Sequence, residues 1–96
     1  MMRRVNIFSK SYCGYCKKAI QLIQDYNITP MVTELDTIEN GEQIHNNLKK
    51  NTKQKTVPLI FIDDVFIGGY DVLLGFHKRN ELYEKLYVLS PNDNIC

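Results

Sequence analysis

A chain of 96 residues that is 44% hydrophobic and 24% charged has the composition of an ordinary globular protein, large enough for one core and too small for two. Its formal net charge of +1 offers no footprint for nucleic acid or a strongly acidic partner, so local clustering of lysine matters more than the total. No apolar run approaches the length of a membrane span, and the opening MMRRVNIF lacks the apolar stretch and small-residue cleavage site of a signal peptide.

In chain order, RRVNIF (residues 3–8) alternates Val5 and Ile7 and ends in Phe8, which predicts a first strand. From Gly14 to about Tyr26, Ala19, Ile20, Ile23 and Tyr26 recur at three- and four-residue steps, opposite Lys17, Lys18, Gln21 and Asp25. That spacing predicts an amphipathic helix, ended by Asn27 and Pro30. MVTEL (31–35) reads as a second strand, and residues 41–50, with Ile44 and Leu48 four apart, as a more exposed helix. NTKQKT is a loop. VPLIFID and DVFIGG read as two strands joined through Asp63 and Asp64, both residues that suit tight turns. Asp71 is the expected N-cap of a third and last helix, and Leu73, Leu74, Leu82, Tyr83 and Leu86 carry the apolar face of the C-terminal region. Tyr12, Tyr26 and Phe61 are assigned to packing. Residues 1–96 read as one domain with a frayed tail at 90–96. The order β-α-β-α-β-β-α predicts two parallel strands joined by a helical crossover, an antiparallel hairpin, and helices over the sheet.

The chain has three cysteines, too few and too odd a number for a disulfide-stapled scaffold, which favours a reducing, cytoplasmic setting. Cys96 is the last residue, whereas a prenylation signal needs a cysteine four from the end, so prenylation is not expected. Cys13 and Cys16, in KSYCGYCKK, fall where the first strand turns into the first helix. A helix start carries partial positive charge and unpaired N–H groups, which favour a nearby thiolate. The N–H groups of Tyr15 and Cys16 are expected to point at the Cys13 sulfur, with Lys10 and Lys17 adding positive charge. Cys16, one turn along, is expected to be more buried and less ionised. Cys13 therefore attacks and Cys16 resolves. A zinc site fits poorly, because one C-x-x-C supplies two of four ligands and His45 and His77 have no partnered spacing. Both histidines read as surface or satisfied structural residues, and no metal ligand set is assigned.

FSKSYCGYCKKA followed by KTVPLIFIDDVFIGGYDVL resembles the glutaredoxins, and the likeness runs from Val5 to about Leu86. The C-x-x-C motif is weak alone. Joined to the upstream lysine, the T-V-P turn and the G-G pair, it is specific. The absence of tryptophan and of Gly-Pro between the cysteines sets the chain apart from thioredoxins. The resemblance implies a thioredoxin fold with a four-stranded mixed sheet covered by helices. It also implies glutathione as reductant, and glutathionylated or disulfide-containing proteins as substrates.

Glutathione carries two carboxylates and one amine, so its site needs cations, backbone pairing and one acid. Lys10, Gln54 and Lys55 are candidates for cations and amide, and Tyr15 is expected to be exposed beside the thiol. The resemblance implies a cis Pro58, which presents the Val57 N–H and C=O to the cysteinyl backbone of glutathione, with Thr56 flanking the turn. Gly68 and Gly69 allow close approach, and the N–H groups around Tyr70 and Asp71 start a helix suited to a carboxylate. Where the family usually has aspartate, this chain has Val72, leaving Asp71 to hold the glutathione amine from one residue earlier. Where the family usually has proline, it has Gly14. The resemblance makes the alternative an iron–sulfur carrier: a labile [2Fe–2S] cluster held by Cys13 and glutathione between two subunits of an otherwise monomeric protein.

Overall fold

The computed structural model of the protein describes residues 1–88; the tail expected at 90–96, with Cys96, lies outside the described residues. The elements run β1 (Val5–Ser9), α1 (Gly14–Asp25), β2 (Met31–Glu34), α2 (Gly41–Thr52), β3 (Leu59–Ile62), β4 (Val65–Gly68), α3 (Tyr70–Lys78) and α4 (Leu82–Leu86). The strands form one mixed sheet in the order β2-β1-β3-β4. β1 is parallel to β2 and antiparallel to β3, and β3 is antiparallel to β4. The α1 crossover accounts for the parallel pair. The antiparallel hairpin turns through Asp63 and Asp64, with φ of 49° and 65°, the left-handed pair that a two-residue hairpin loop demands.

β1 alternates strictly, burying Val5, Ile7 and Ser9. α1 answers with Cys16, Ala19, Leu22 and Ile23 on its inward face, and β3 and the C-terminal helices add Ile60, Ile62, Leu73, Leu82 and Leu86 to the same cluster. Each fully buried aliphatic side chain is worth about 1.5–3 kcal/mol relative to exposure, so this layer holds α1 and α3 against the sheet. The N-terminal arginines serve the fold. Arg3 Nη1 donates to Asp63 at 2.8 Å, and the Arg4 N–H donates to the same carboxylate at 3.0 Å. These contacts, the Arg4 N–H first, hold the Asp63 carboxyl below its usual range.

Several expectations are corrected. The C-terminal helix is two helices, parted near Asn80, whose φ is 60°. The N-cap of α3 is Gly69, and Asp71 lies inside the first turn. Tyr12 is 72% exposed and packs nothing away, because it sits in the loop ahead of α1 rather than on its inward face. Tyr83 is exposed and stacks on Tyr87 with ring centroids 4.6 Å apart. Tyr26 does pack against the core, and Phe61 meets the rings of Phe8 and Phe66. No helix among the described residues is long and apolar enough to cross a membrane.

Candidate active site

Cys13 is the N-cap of α1, extended at φ −92° and ψ 113°, and its sulfur accepts the Cys16 N–H at 3.2 Å. Of the two backbone donors expected, this is the one that reaches the thiol. The bond fixes the direction of the sulfur and is of the kind that strengthens as negative charge grows on its acceptor. The Cys13 side chain is half-buried and reaches Val57 O at 3.9 Å.

Cys16, one turn on, is fully buried. Burial, then the neighbouring Cys13, pushes its thiol up to about 11, partly offset by hydrogen bonding from Ser9 and the Lys10 backbone. The two sulfurs thus differ as expected, one at the surface with a backbone donor and one protonated beneath it. Ser9, 2% exposed, is a neighbour of Cys16 that the motif does not reveal. The strict alternation of Val5 and Ile7 was the signal, since it places Ser9 on the same inward face.

The loop before Cys13 is held from outside the motif. Asp36, after β2, accepts the Ser11 N–H at 2.9 Å and also the Ser11 hydroxyl. These two bonds hold the Asp36 carboxyl below its ordinary range. No short-range pattern marks this pair, because the two residues meet only through the parallel pairing of β1 with β2.

Beside the thiols lies a cavity of about 540 Å³ lined by Tyr15, Gln54, Thr56, Val57, Pro58, Gly69, Tyr70 and Asp71. Three segments distant in sequence meet here, and each lining residue is among those singled out from the sequence. Val57–Pro58 is cis. Tyr15 is 63% exposed, with its ring 6.1 Å from that of Tyr70 across the cavity. Gly68 needs to be glycine: its φ is 129°, and a Cβ would come 2.8 Å from Val72 Cγ2. Gly69 does not, since a Cβ there would make only ordinary contacts, the nearest 3.4 Å away at Asp71 Oδ1.

The cations are placed differently from expectation. Lys10 lines a separate depression with Asp36, His45 and Lys49. Lys55 is exposed and contributes its carbonyl, which His45 Nε2 approaches at 3.2 Å. His45 is 7% exposed, a satisfied structural histidine, and His77 is a surface residue whose Nδ1 lies 2.7 Å from the Tyr26 hydroxyl. A wider depression along α2 is lined by Glu39, Asn40, Glu42, Gln43, Asn46 and Asn47 and holds no nucleophile.

The family model described as Glutaredoxin matches residues 5–67. Glutaredoxin-1 of Rhizophagus irregularis is 41% identical over 85 residues, covering 88% of this chain and 84% of the fungal protein. The mitochondrial glutaredoxin-2 of Rattus norvegicus is 44% identical over 78 residues, covering 81% of this chain but only 50% of the rat protein. The structure is similar to a crystal structure of a buckwheat glutaredoxin–glutathione complex, with a TM-score of 0.83 at 34% identity over 88% of this chain and 76% of that one.

Proposed function

The chain belongs to the glutaredoxin family of glutathione-dependent thiol–disulfide oxidoreductases, and on that premise we propose that it reduces protein–glutathione mixed disulfides and protein disulfides through Cys13 and Cys16, in a reducing compartment such as the cytoplasm. The observation that carries this reading is the Cys13 sulfur, half-buried, hydrogen-bonded by the Cys16 N–H at 3.2 Å and set at Val57 beside the cavity.

Cys13 thiolate attacks the glutathionyl sulfur of a protein mixed disulfide. The substrate S–S bond breaks, the Cys13–glutathione disulfide forms, and the protein thiolate leaves and takes a proton. The thiolate of a second glutathione then attacks the glutathionyl sulfur bound to Cys13. Glutathione disulfide departs and the Cys13 thiolate is restored. With a protein disulfide, Cys13 first forms a mixed disulfide with the substrate. Cys16 gives its proton to the thiolate released in that step and attacks Cys13 Sγ, expelling the second protein thiolate. The internal bridge is reopened by glutathione. With its thiol pushed up to about 11, Cys16 stays protonated until that point and does not compete as nucleophile.

The cavity supports glutathione as the electron donor. Val57 offers backbone N–H and C=O groups to the cysteinyl part, in the manner of an added strand. The start of α3 has no side-chain cap, which leaves its N–H groups for a carboxylate. Asp71, at that start, faces the amine. Turnover of a small glutathionyl mixed disulfide, coupled to glutathione reductase, tests the reading. Steady turnover that saturates in glutathione is expected, and none under any thiol concentration would overturn it.

A second reading is favoured by one observation. A Cβ at Gly14 would meet nothing within 4 Å, so the residue after Cys13 is unpacked, which lets the loop shift and the half-buried Cys13 sulfur turn outward to a thiolate-bound [2Fe–2S] cluster. Among the described residues no group of three or more His, Cys, Asp and Glu gathers. The remaining ligands would come from a second subunit and glutathione. Anaerobic reconstitution with iron, sulfide and glutathione should give a brown dimer that loses colour in Cys13→Ser and keeps it in Cys16→Ser. A colourless monomer rules the carrier out.

A further inference from the structure

The loop between α2 and β3 presents Val57 to the cavity; Lys53 at its start is tied by its N–H to Lys49 O at 2.9 Å, and beyond Lys53 side chains hold it. His45 Nε2 lies 3.2 Å from Lys55 O. Gln54 Nε2 donates to Thr56 O and to Pro58 O, each at 3.1 Å. The Gln54 N–H itself donates to Thr52 Oγ1 at 3.2 Å. Both partners of the Gln54 carboxamide are carbonyl oxygens, which only accept, so the atom facing them must be the nitrogen. Its two hydrogens are then both engaged, and only Oε1 remains for anything else.

The carboxamide also lies against the other wall of the cavity. A Cβ built on Gly69 would stand 3.5 Å from Gln54 Nε2 and 3.5 Å from Pro58 O. Gln54 is therefore wedged between the Thr56–Pro58 segment and the turn into α3, the two backbone stretches that line the cavity with Tyr15. A donor whose hydrogens are spent on the loop cannot also donate to a substrate carboxylate without releasing that loop.

We propose that Gln54 is a positioning residue of the glutathione site: its carboxamide holds Thr56 to Pro58 in place, so that Val57 meets the substrate backbone at a fixed distance from Cys13, and it does not itself bind a glutathione carboxylate. This rests on the reading of the cavity as the glutathione site. His45 supports the same loop from α2, one residue earlier.

Gln54→Met keeps the side-chain length and removes the donor, and Gln54→Glu keeps the shape and sets a carboxylate against the two carbonyls. Both are expected to raise the KM for glutathione about tenfold, from two neutral hydrogen bonds of modest net worth, and to lower kcat much less. The loss should be equally large with the glycine monoethyl ester of glutathione and with the dipeptide cysteinylglycine, which lack the free glycine carboxylate and the γ-glutamyl carboxylate respectively, so each of the two thiols in turn removes one candidate partner. Backbone 15N order parameters of Thr56 and Val57 should fall in both variants without any thiol present, while those of β1 and α1 keep their values as a control for folding. Unchanged order parameters at Thr56 and Val57, or a loss that vanishes with one of the two thiols, overturns the proposal and makes Gln54 a direct ligand. A wild-type protein that turns over none of these thiols sinks the underlying reading instead, and the relaxation result still stands or falls alone.

Discussion

Two helix starts meet at the cavity and are finished in opposite ways. At α1 the cap is Cys13, whose sulfur accepts the Cys16 N–H. At α3 the cap is Gly69, with no side chain to offer. Every helix begins with N–H groups that have no partner within it. In α1 the nucleophile itself takes one of them, so the sulfur is oriented and electrostatically supported before any substrate arrives. In α3 the first N–H groups have no side-chain cap, and the aromatic rings of Tyr15 and Tyr70, each in the first turn of its helix, stand 6.1 Å apart across the cavity. On the proposed function the difference separates chemistry from binding: one helix start is completed by the protein, the other by bound glutathione.

The hardest test of the contrast removes the sulfur from the completed end. Cys13→Ser should reduce turnover of mixed disulfides and of protein disulfides to background. Cys16→Ser should keep the first and lose the second, because only the internal bridge needs the buried thiol. Comparable losses in both variants, measured in the glutathione reductase-coupled assay, would contradict the division of roles.

At the open end, Asp71→Ala should raise the KM for glutathione roughly ten- to a hundredfold, the worth of one charge-assisted hydrogen bond, and leave kcat closer to wild type. An Asp71 that merely favours its helix start would cost a little stability and no glutathione affinity. Gly69→Asp makes the second helix start resemble the first. Its φ of −100° suits any residue, and the new carboxylate should cap α3. Stability in urea is expected to rise by a few tenths of a kcal/mol, while glutathione binds roughly tenfold more weakly because its site is occupied and carries like charge. Tighter binding would show that the N–H groups of α3 are not the carboxylate site.

The smallest effect concerns the support behind the loop. Burial, with Lys49 and Lys10 adding like charge, holds His45 below its ordinary value of 6.5. Asp36 and Glu42 face the same depression, and the lowered direction is the net result. The unfolded chain therefore takes up this proton more readily than the folded one, and stability increases with pH through that interval. It is complete above about pH 6.5 and declines as the pH falls through the lowered folded value. Urea midpoints followed downward from neutral pH should fall in the wild type and fall less in His45→Gln. Parallel curves would remove His45 from the account.

Much of this site is legible because its carriers are local. A C-x-x-C at the start of a 3.6-residue pattern places one thiol at the helix cap and one in its first turn, whatever the rest of the fold does. The alternation of Val5 and Ile7, the paired aspartates at 63–64, and the glycine and proline punctuation likewise act within a few residues of themselves. Readings failed where short patterns were asked about long distances. Tyr12 and Tyr83 are aromatic and flank helical stretches, but whether a ring is covered depends on which element lies above it. Lys10 precedes the motif and still faces α2.

By itself, then, the sequence determined the order of elements as far as the start of α3, the mixed sheet, the position of Cys13 and Cys16 and their unequal burial, since backbone propensity, hydrophobic period and capping are set by neighbours along the chain. Only the tertiary structure decided that residues 15, 54–58 and 69–71 enclose one cavity, that the inward-facing Ser9 meets Cys16, that Asp36 holds Ser11, and that the amide of Gln54 turns to the carbonyls of Thr56 and Pro58. The physical reason is the same in each case. A polar side chain goes where an unsatisfied partner is found, and here β1, lying between β2 and β3, brings those partners together from distant parts of the chain.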